Sequence, residues 1–151
     1  MAGRVDFDDK SLWPLLLVRY VGSPSPEQQE EYQARLKACL QRGEKYVSII
    51  DTRSFTGVST EQRQRMAAFL KEHEELFRQV ALGTCLVVTS PMVRLIVSVV
   101  FHLKTMPTPH YVAPSMPTAL DWVLGRLEAG GLTEDAARLR QHSERLLSGQ
   151  P

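Results

Sequence analysis

Three short apolar runs, each followed by a serine able to open a helix, constrain this chain most. They are Trp13 to Val21 (WPLLLVRYV), Tyr46 to Asp51 (YVSIID) and Leu82 to Thr89 (LGTCLVVT). Short runs of this kind, bounded by Gly, Pro and polar residues, read as strands. Gly22-Ser-Pro-Ser-Pro26 stops the first, and Ser25 with Pro26 opens a helix over Glu27 to Arg42. Tyr32, Leu36, Cys39 and Leu40 share one face of it. The polar loop Thr52 to Gly57 follows the second strand. Ser59-Thr-Glu-Gln62 then has the form of a capping box, with Met66, Phe69, Leu70 and Phe77 as an apolar stripe and Leu76 beside it. Ser90-Pro91 repeats the cap-and-proline device before Val93 to Leu103.

A fourth, shorter strand is expected at His110 to Ala113, after the breaker segment Met106-Pro-Thr-Pro109. A helix over Ser115 to Leu127 follows, with Ala119, Trp122, Val123 and Leu127. A last amphipathic helix is expected over Thr133 to Leu147, with Leu132, Ala136, Leu139, Leu146 and Leu147 on its apolar side. Alternation of strand and helix predicts an α/β fold: a four-stranded, mostly parallel sheet covered by helices, plus a C-terminal amphipathic helix. The length of 151 residues fits one domain, with a core over about 12–127 and the trailing helix over about 133–147.

Val93 to Leu103 (VRLIVSVVFHL) is the segment least like an ordinary surface helix. Val93, Ile96, Val97, Val100 and Phe101 fit one helical stripe, but Leu95, Val99 and Leu103 lie off it. A helix apolar nearly all round needs cover on more than one side. The trailing helix is one candidate cover, and a second chain or a partner is the other. Arg94 on this helix is expected to reach the surface, pair with an acid, or contact a partner.

Composition and motifs exclude several classes. Eighteen Lys and Arg against 17 Asp and Glu give a net charge of +1, without the broad basic footprint of a nucleic-acid-binding domain. Cys39 and Cys85 form no C-x-x-C and read as buried free thiols of a reducing compartment. No signal-peptide plan is present, and the longest apolar run is about half the length that spans a bilayer. A cytoplasmic location without a membrane span is therefore expected. The four histidines are scattered, and the sequence holds no metal-ligand spacing, phosphate loop or nucleophile elbow. Neither a cofactor, a metal nor an enzyme activity is expected.

The region from about Leu12 to Leu127 resembles the SpoIIAA-like or STAS-type family. The resemblance rests on the strand Tyr46-Val-Ser-Ile-Ile-Asp51, the helix opening at Val58-Ser59-Thr60, the strand and helix opener Gly83-Thr-Cys-Leu-Val-Val-Thr-Ser-Pro91, and the Ala119-Leu-Asp-Trp122 helix. It implies a protein-interaction module, often a regulatory switch in bacteria, acting through a protein partner or as a homodimer. In phosphorylatable members a serine or threonine opening the helix after the aspartate strand is modified. Here that position falls on Thr60, with Ser59 beside it. The usual Asp-Ser-Ser-Gly run is replaced by Ser59-Thr60-Glu61-Gln62. The simpler reading, which we favour, is that Ser59 is a helix cap.

The candidate partner-binding residues are Arg53, Arg63, Arg94, Val97 and Phe101, from the segment Asp51 to Arg63 and the apolar helix. Asp51 is expected either to hydrogen-bond its own loop or to make polar contacts at the carboxyl end of a central strand, where open α/β sheets place ligands. The alternative reading is a small-ligand or lipid carrier of related fold, which requires an apolar cavity.

Overall fold

The computed structural model describes residues 3–143. They form β1 (Arg4–Asp8), β2 (Leu15–Gly22), α1 (Pro26–Gln41), β3 (Tyr46–Phe55), α2 (Thr60–Glu72), α3 (Glu74–Val80), β4 (Ala81–Val87), α4 (Pro91–Leu103), β5 (His110–Ala113), α5 (Met116–Ala129) and α6 (Thr133–Gln141). The sheet order is the sequence order, β1 to β5. β1 runs antiparallel to β2, and every other pair is parallel.

That order explains the layering. When parallel strands are added in one direction with crossovers of one hand, their connecting helices fall on one face. α1, α2 and α4 accordingly share a layer. Leu36, Cys39, Leu40 and Phe69 pack there against Leu16, Val18 and Tyr46, while Val93 and Ile96 pack with Phe55 and Leu86. α5 follows the last strand and crosses over nothing. It covers the opposite face, where Ala119, Leu120, Val123, Leu124 and Leu127 join Leu15, Val47, Ile49, Cys85 and Val87.

Serine caps set the helix starts. The hydroxyls of Ser25, Ser59, Ser90 and Ser115 accept from the amides of Gln28, Gln62, Val93 and Thr118. Ser25 and Ser59 form complete capping boxes with Gln28 and Gln62. The two glutamines also tie neighbouring segments: Gln28 Nε2 donates to Gly3 O at 2.7 Å and Gln62 Nε2 to Pro24 O at 2.8 Å.

Four expectations change. The sheet has five strands, not four, because the N-terminal segment pairs with β2 from Arg4↔Val21 to Asp8↔Leu17. Two alternating apolar residues, Val5 and Phe7, are too weak a signal to announce a strand; partner and packing decide it. The segment read as the loop Thr52 to Gly57 is strand as far as Phe55. A register shift against β2, between Arg19 and Val21, inserts one extra residue in β3 and brings Phe55 onto the α2–α4 side. The single helix after Ser59 is two, broken at His73, whose backbone leaves helical geometry (φ −109°, ψ 19°). Finally, the trailing helix α6 lies on α5 and not on α4, with Ala136 and Leu139 buried in the α5-side core. Leu146 and Leu147 lie outside the described residues.

Candidate functional site

Asp51 sits near the carboxyl end of the central strand β3 and is 2% exposed. Arg19 Nε on β2 donates to its Oδ2 at 3.1 Å. Arg53 grips the same carboxylate twice, Nε to Oδ1 at 3.0 Å and Nη2 to Oδ2 at 2.9 Å, and its backbone amide donates to Oδ1 at 3.0 Å. Burial opposes ionisation, but the bonds from Arg53 and Arg19 outweigh it and hold the carboxyl below its ordinary value. The local amide bond expected for Asp51 is present, joined by two ion pairs. This carboxylate is thus committed to orienting Arg53, whose side chain remains 44% exposed.

A groove of about 580 Å³ runs between the β3–α2 connection and α4. Ser59, Gln62 and Arg63 form one wall, and Met92, Leu95 and Val99 the other. Ser59 Oγ both accepts from Gln62 N at 3.2 Å and lies 3.1 Å from Gln62 Oε1, to which it donates. Thr60 is exposed at the first helical position. Arg63 donates from Nη2 to Val58 O at 3.2 Å, while its buried Nε has no partner among the described residues.

The outer face of α4 is the main exposed apolar surface. Met92, Leu95 and Leu103 are 54%, 65% and 50% exposed, and the next most open large apolar residue among those described is Tyr111, at 38%. Arg94 is exposed on the same helix and pairs with no carboxylate among the described residues. Val97 and Phe101 are half-buried and turn inward. The structure therefore brings Arg63 and Ser59 together with the outer face of α4 but puts Val97 and Phe101 behind it. Leu95 and Leu103 were visible in the sequence as apolar residues off the helical stripe.

Behind α4, between the sheet and the layer of α1, α2 and α4, lies a cavity of about 130 Å³. Val97 and Phe101 line it, as do Leu16, Val18, Leu36 and Val100. Ile96 separates it from the groove, lining both. Its floor includes Ser48 and Thr84, which sequence reasoning passed over; small polar residues inside otherwise apolar strands were the available signal.

Neither cysteine is poised for chemistry. Burial pushes the Cys39 thiol up to about 11 and the Cys85 thiol up to about 12. Among the described residues no three His, Cys, Asp or Glu side chains converge on a metal-sized site. No helix among them is long and apolar enough to cross a membrane.

A mostly parallel sheet in sequence order, crossover helices on one face and a closing helix on the other define the SpoIIAA-like fold. Several solved structures match this chain, among them the following two. An uncharacterised protein of the DUF3478 family with a SpoIIAA-like fold, from Shewanella loihica PV-4, matches with a TM-score of 0.59 at 15% identity, over 81% of this chain and 94% of that one. An anti-sigma factor antagonist from Mycobacterium paratuberculosis matches with a TM-score of 0.52 at 15% identity, over 80% of this chain and 93% of that one. No family model matches the sequence, and no curated protein matches it.

Proposed function

We propose that this protein is a non-enzymatic regulatory module that binds a protein partner through the groove and the outer face of α4. The carrying observation is that Met92, Leu95 and Leu103, all at least half exposed, lie on one helix beside a groove. Large apolar side chains clustered in water mark interaction surfaces more often than singly scattered ones do. Arg63 on the groove wall and exposed Arg94 on α4 favour a partner that presents apolar side chains rimmed by carboxylates. Arg53, held by Asp51, does not line the groove. The anti-sigma factor antagonist among the structural neighbours supports a protein partner.

A photo-crosslinking residue placed at position 95 in the source cell tests this reading, with the same residue at Glu134 on α6 as control. The expected result is an adduct with one defined protein from position 95 only, and at least tenfold weaker binding of that protein by Leu95→Glu. No adduct, or one formed equally from both positions, overturns it. An adduct only with a second copy of this chain replaces the partner by a homodimer. The carrier reading has less support, since 130 Å³ is below the roughly 300–1,000 Å³ of drug-sized ligand pockets and cannot hold a whole lipid.

A further inference from the structure

The cavity has a cause in the sequence. On the α1–α2–α4 face of the two central strands, Ser48 of β3 and Thr84 of β4 are register partners. Both are buried, at 5% and 4% exposure; Ser48 stands between Val47 and Ile49, and Thr84 between Gly83 and Cys85 with Leu86 beyond. A fully covered parallel sheet ordinarily carries large aliphatic side chains there. Two small residues side by side leave the space between sheet and helices unfilled. Native cores contain few voids larger than a water molecule, because each forfeits packing contacts.

The lining chemistry narrows what fits. None of the lining side chains is charged, so an ion would enter without compensation. Thr52 Oγ1 is committed, donating to Val87 O at 2.6 Å. Ser48 Oγ donates to Thr84 Oγ1 at 3.2 Å, which leaves the Thr84 hydroxyl hydrogen to donate elsewhere and Ser48 Oγ able to accept. An engineered apolar cavity of about 150 Å³ stays dry and takes up benzene. The cavity here is close to that size, with the Ser48–Thr84 pair on its floor and Gln33 and the tyrosines Tyr20, Tyr32 and Tyr46 also in its lining.

We propose that this cavity is a binding site for a neutral, single-ring-sized apolar molecule carrying one hydroxyl or carbonyl group, which hydrogen-bonds the Ser48–Thr84 pair. The site is separate from the docking surface: its polar anchor lies on the sheet, and Ile96 stands between it and the groove. Loss of one leaves the other standing.

Phenol and benzene serve as probes of the full chain, by amide-detected NMR titration. Both bind saturably at one site, with the largest shifts at Ser48, Thr84 and Leu86. Thr84→Val weakens phenol about fivefold to tenfold, the worth of one hydrogen bond, and leaves benzene within about twofold. Val100→Phe fills the space and abolishes both. Val18→Ile adds one methyl to the wall, weakens both and keeps the fold even where the larger substitution does not. Absence of saturable binding of either probe overturns the site, as does binding that Val18→Ile and Val100→Phe leave unchanged. Equal effects of Thr84→Val on phenol and benzene overturn the hydroxyl anchor.

Discussion

Arg19 on β2 and Asp51 on β3 are direct register partners, and Arg19 Nε stands 3.1 Å from Asp51 Oδ2. With Arg53 on the other side, the buried carboxylate joins two strands and one exposed guanidinium. Asp51→Asn keeps the shape and removes the charge. Breaking a fully buried pair costs about 3–5 kcal/mol; with Arg19 and Arg53 partly in water, about 2 kcal/mol is expected, measured by urea unfolding at pH 7. The folded carboxyl titrates below its ordinary value, so its stabilisation is present above the unfolded pKa and is lost as pH falls through the folded one. The difference between wild type and variant should therefore shrink toward about pH 3. A constant difference from pH 7 to pH 3 contradicts the ion-pair account.

Ser59 caps α2, and Gln62 both completes the box and reaches Pro24. Ser59→Ala should cost about 1 kcal/mol, as for other N-cap serines. Gln62→Ala should cost more, since it also leaves Pro24 O without its donor. Thr60 makes no capping bond, so Thr60→Ala and Thr60→Glu should both fold. Equal affinity of those two variants for the partner would end the idea of a phosphorylation switch at Thr60.

Alkaline pH should unfold the protein. Burial raises Cys39, Cys85 and Tyr32 to about 11, 12 and 12, and raises Tyr20 and Tyr46 as well. Each group keeps its proton longer in the folded state. Stability is fully present below the unfolded pKa values, near 9 for thiols and 10 for tyrosines, and falls as pH rises toward the folded ones. Circular dichroism melts should show a falling midpoint above about pH 9. Thiol reagents at pH 8 should label Cys39 and Cys85 only as fast as the chain opens.

Gly83 lies where α5 crosses β4. A Cβ there would stand 2.9 Å from Arg126 Cγ and 3.0 Å from the Trp122 ring. Arg126 is held by its bond to Leu82 O at 3.0 Å, and Trp122 is stacked on Tyr111 at 5.8 Å. Gly83→Ala should therefore destabilise by about 1–3 kcal/mol, the range for overpacked cores. Differential scanning calorimetry reads this directly, and an unchanged or raised midpoint would show that the two side chains yield freely.

Much of this architecture is legible in local signals. Tyr46 to Asp51 reads as a strand because its residues are β-branched and closely bounded. Ser25, Ser59 and Ser90 mark helix starts because a cap needs only its own next three residues. The unusual exposure of α4 is foreshadowed by Leu95 and Leu103 lying off the stripe. The ion cluster is less legible, because Asp51 and Arg19 are 32 positions apart and only register makes them neighbours. The same holds for Ser48 and Thr84, 36 apart, whose meeting produces the cavity floor.

Periodicity, caps and turn residues act over a few positions, so the order and kind of the main elements are written locally along the chain. So is the apolar excess that sets α4 apart from an ordinary surface helix. That Arg4 to Asp8 is a strand depends on long-range pairing, because so short an apolar pattern forms a strand only with β2 as partner. The seat of α6 on α5 depends on tertiary packing in the same way. The crossover helices already occupy the other face, so the trailing helix follows α5 and leaves the outer face of α4 uncovered by any described element.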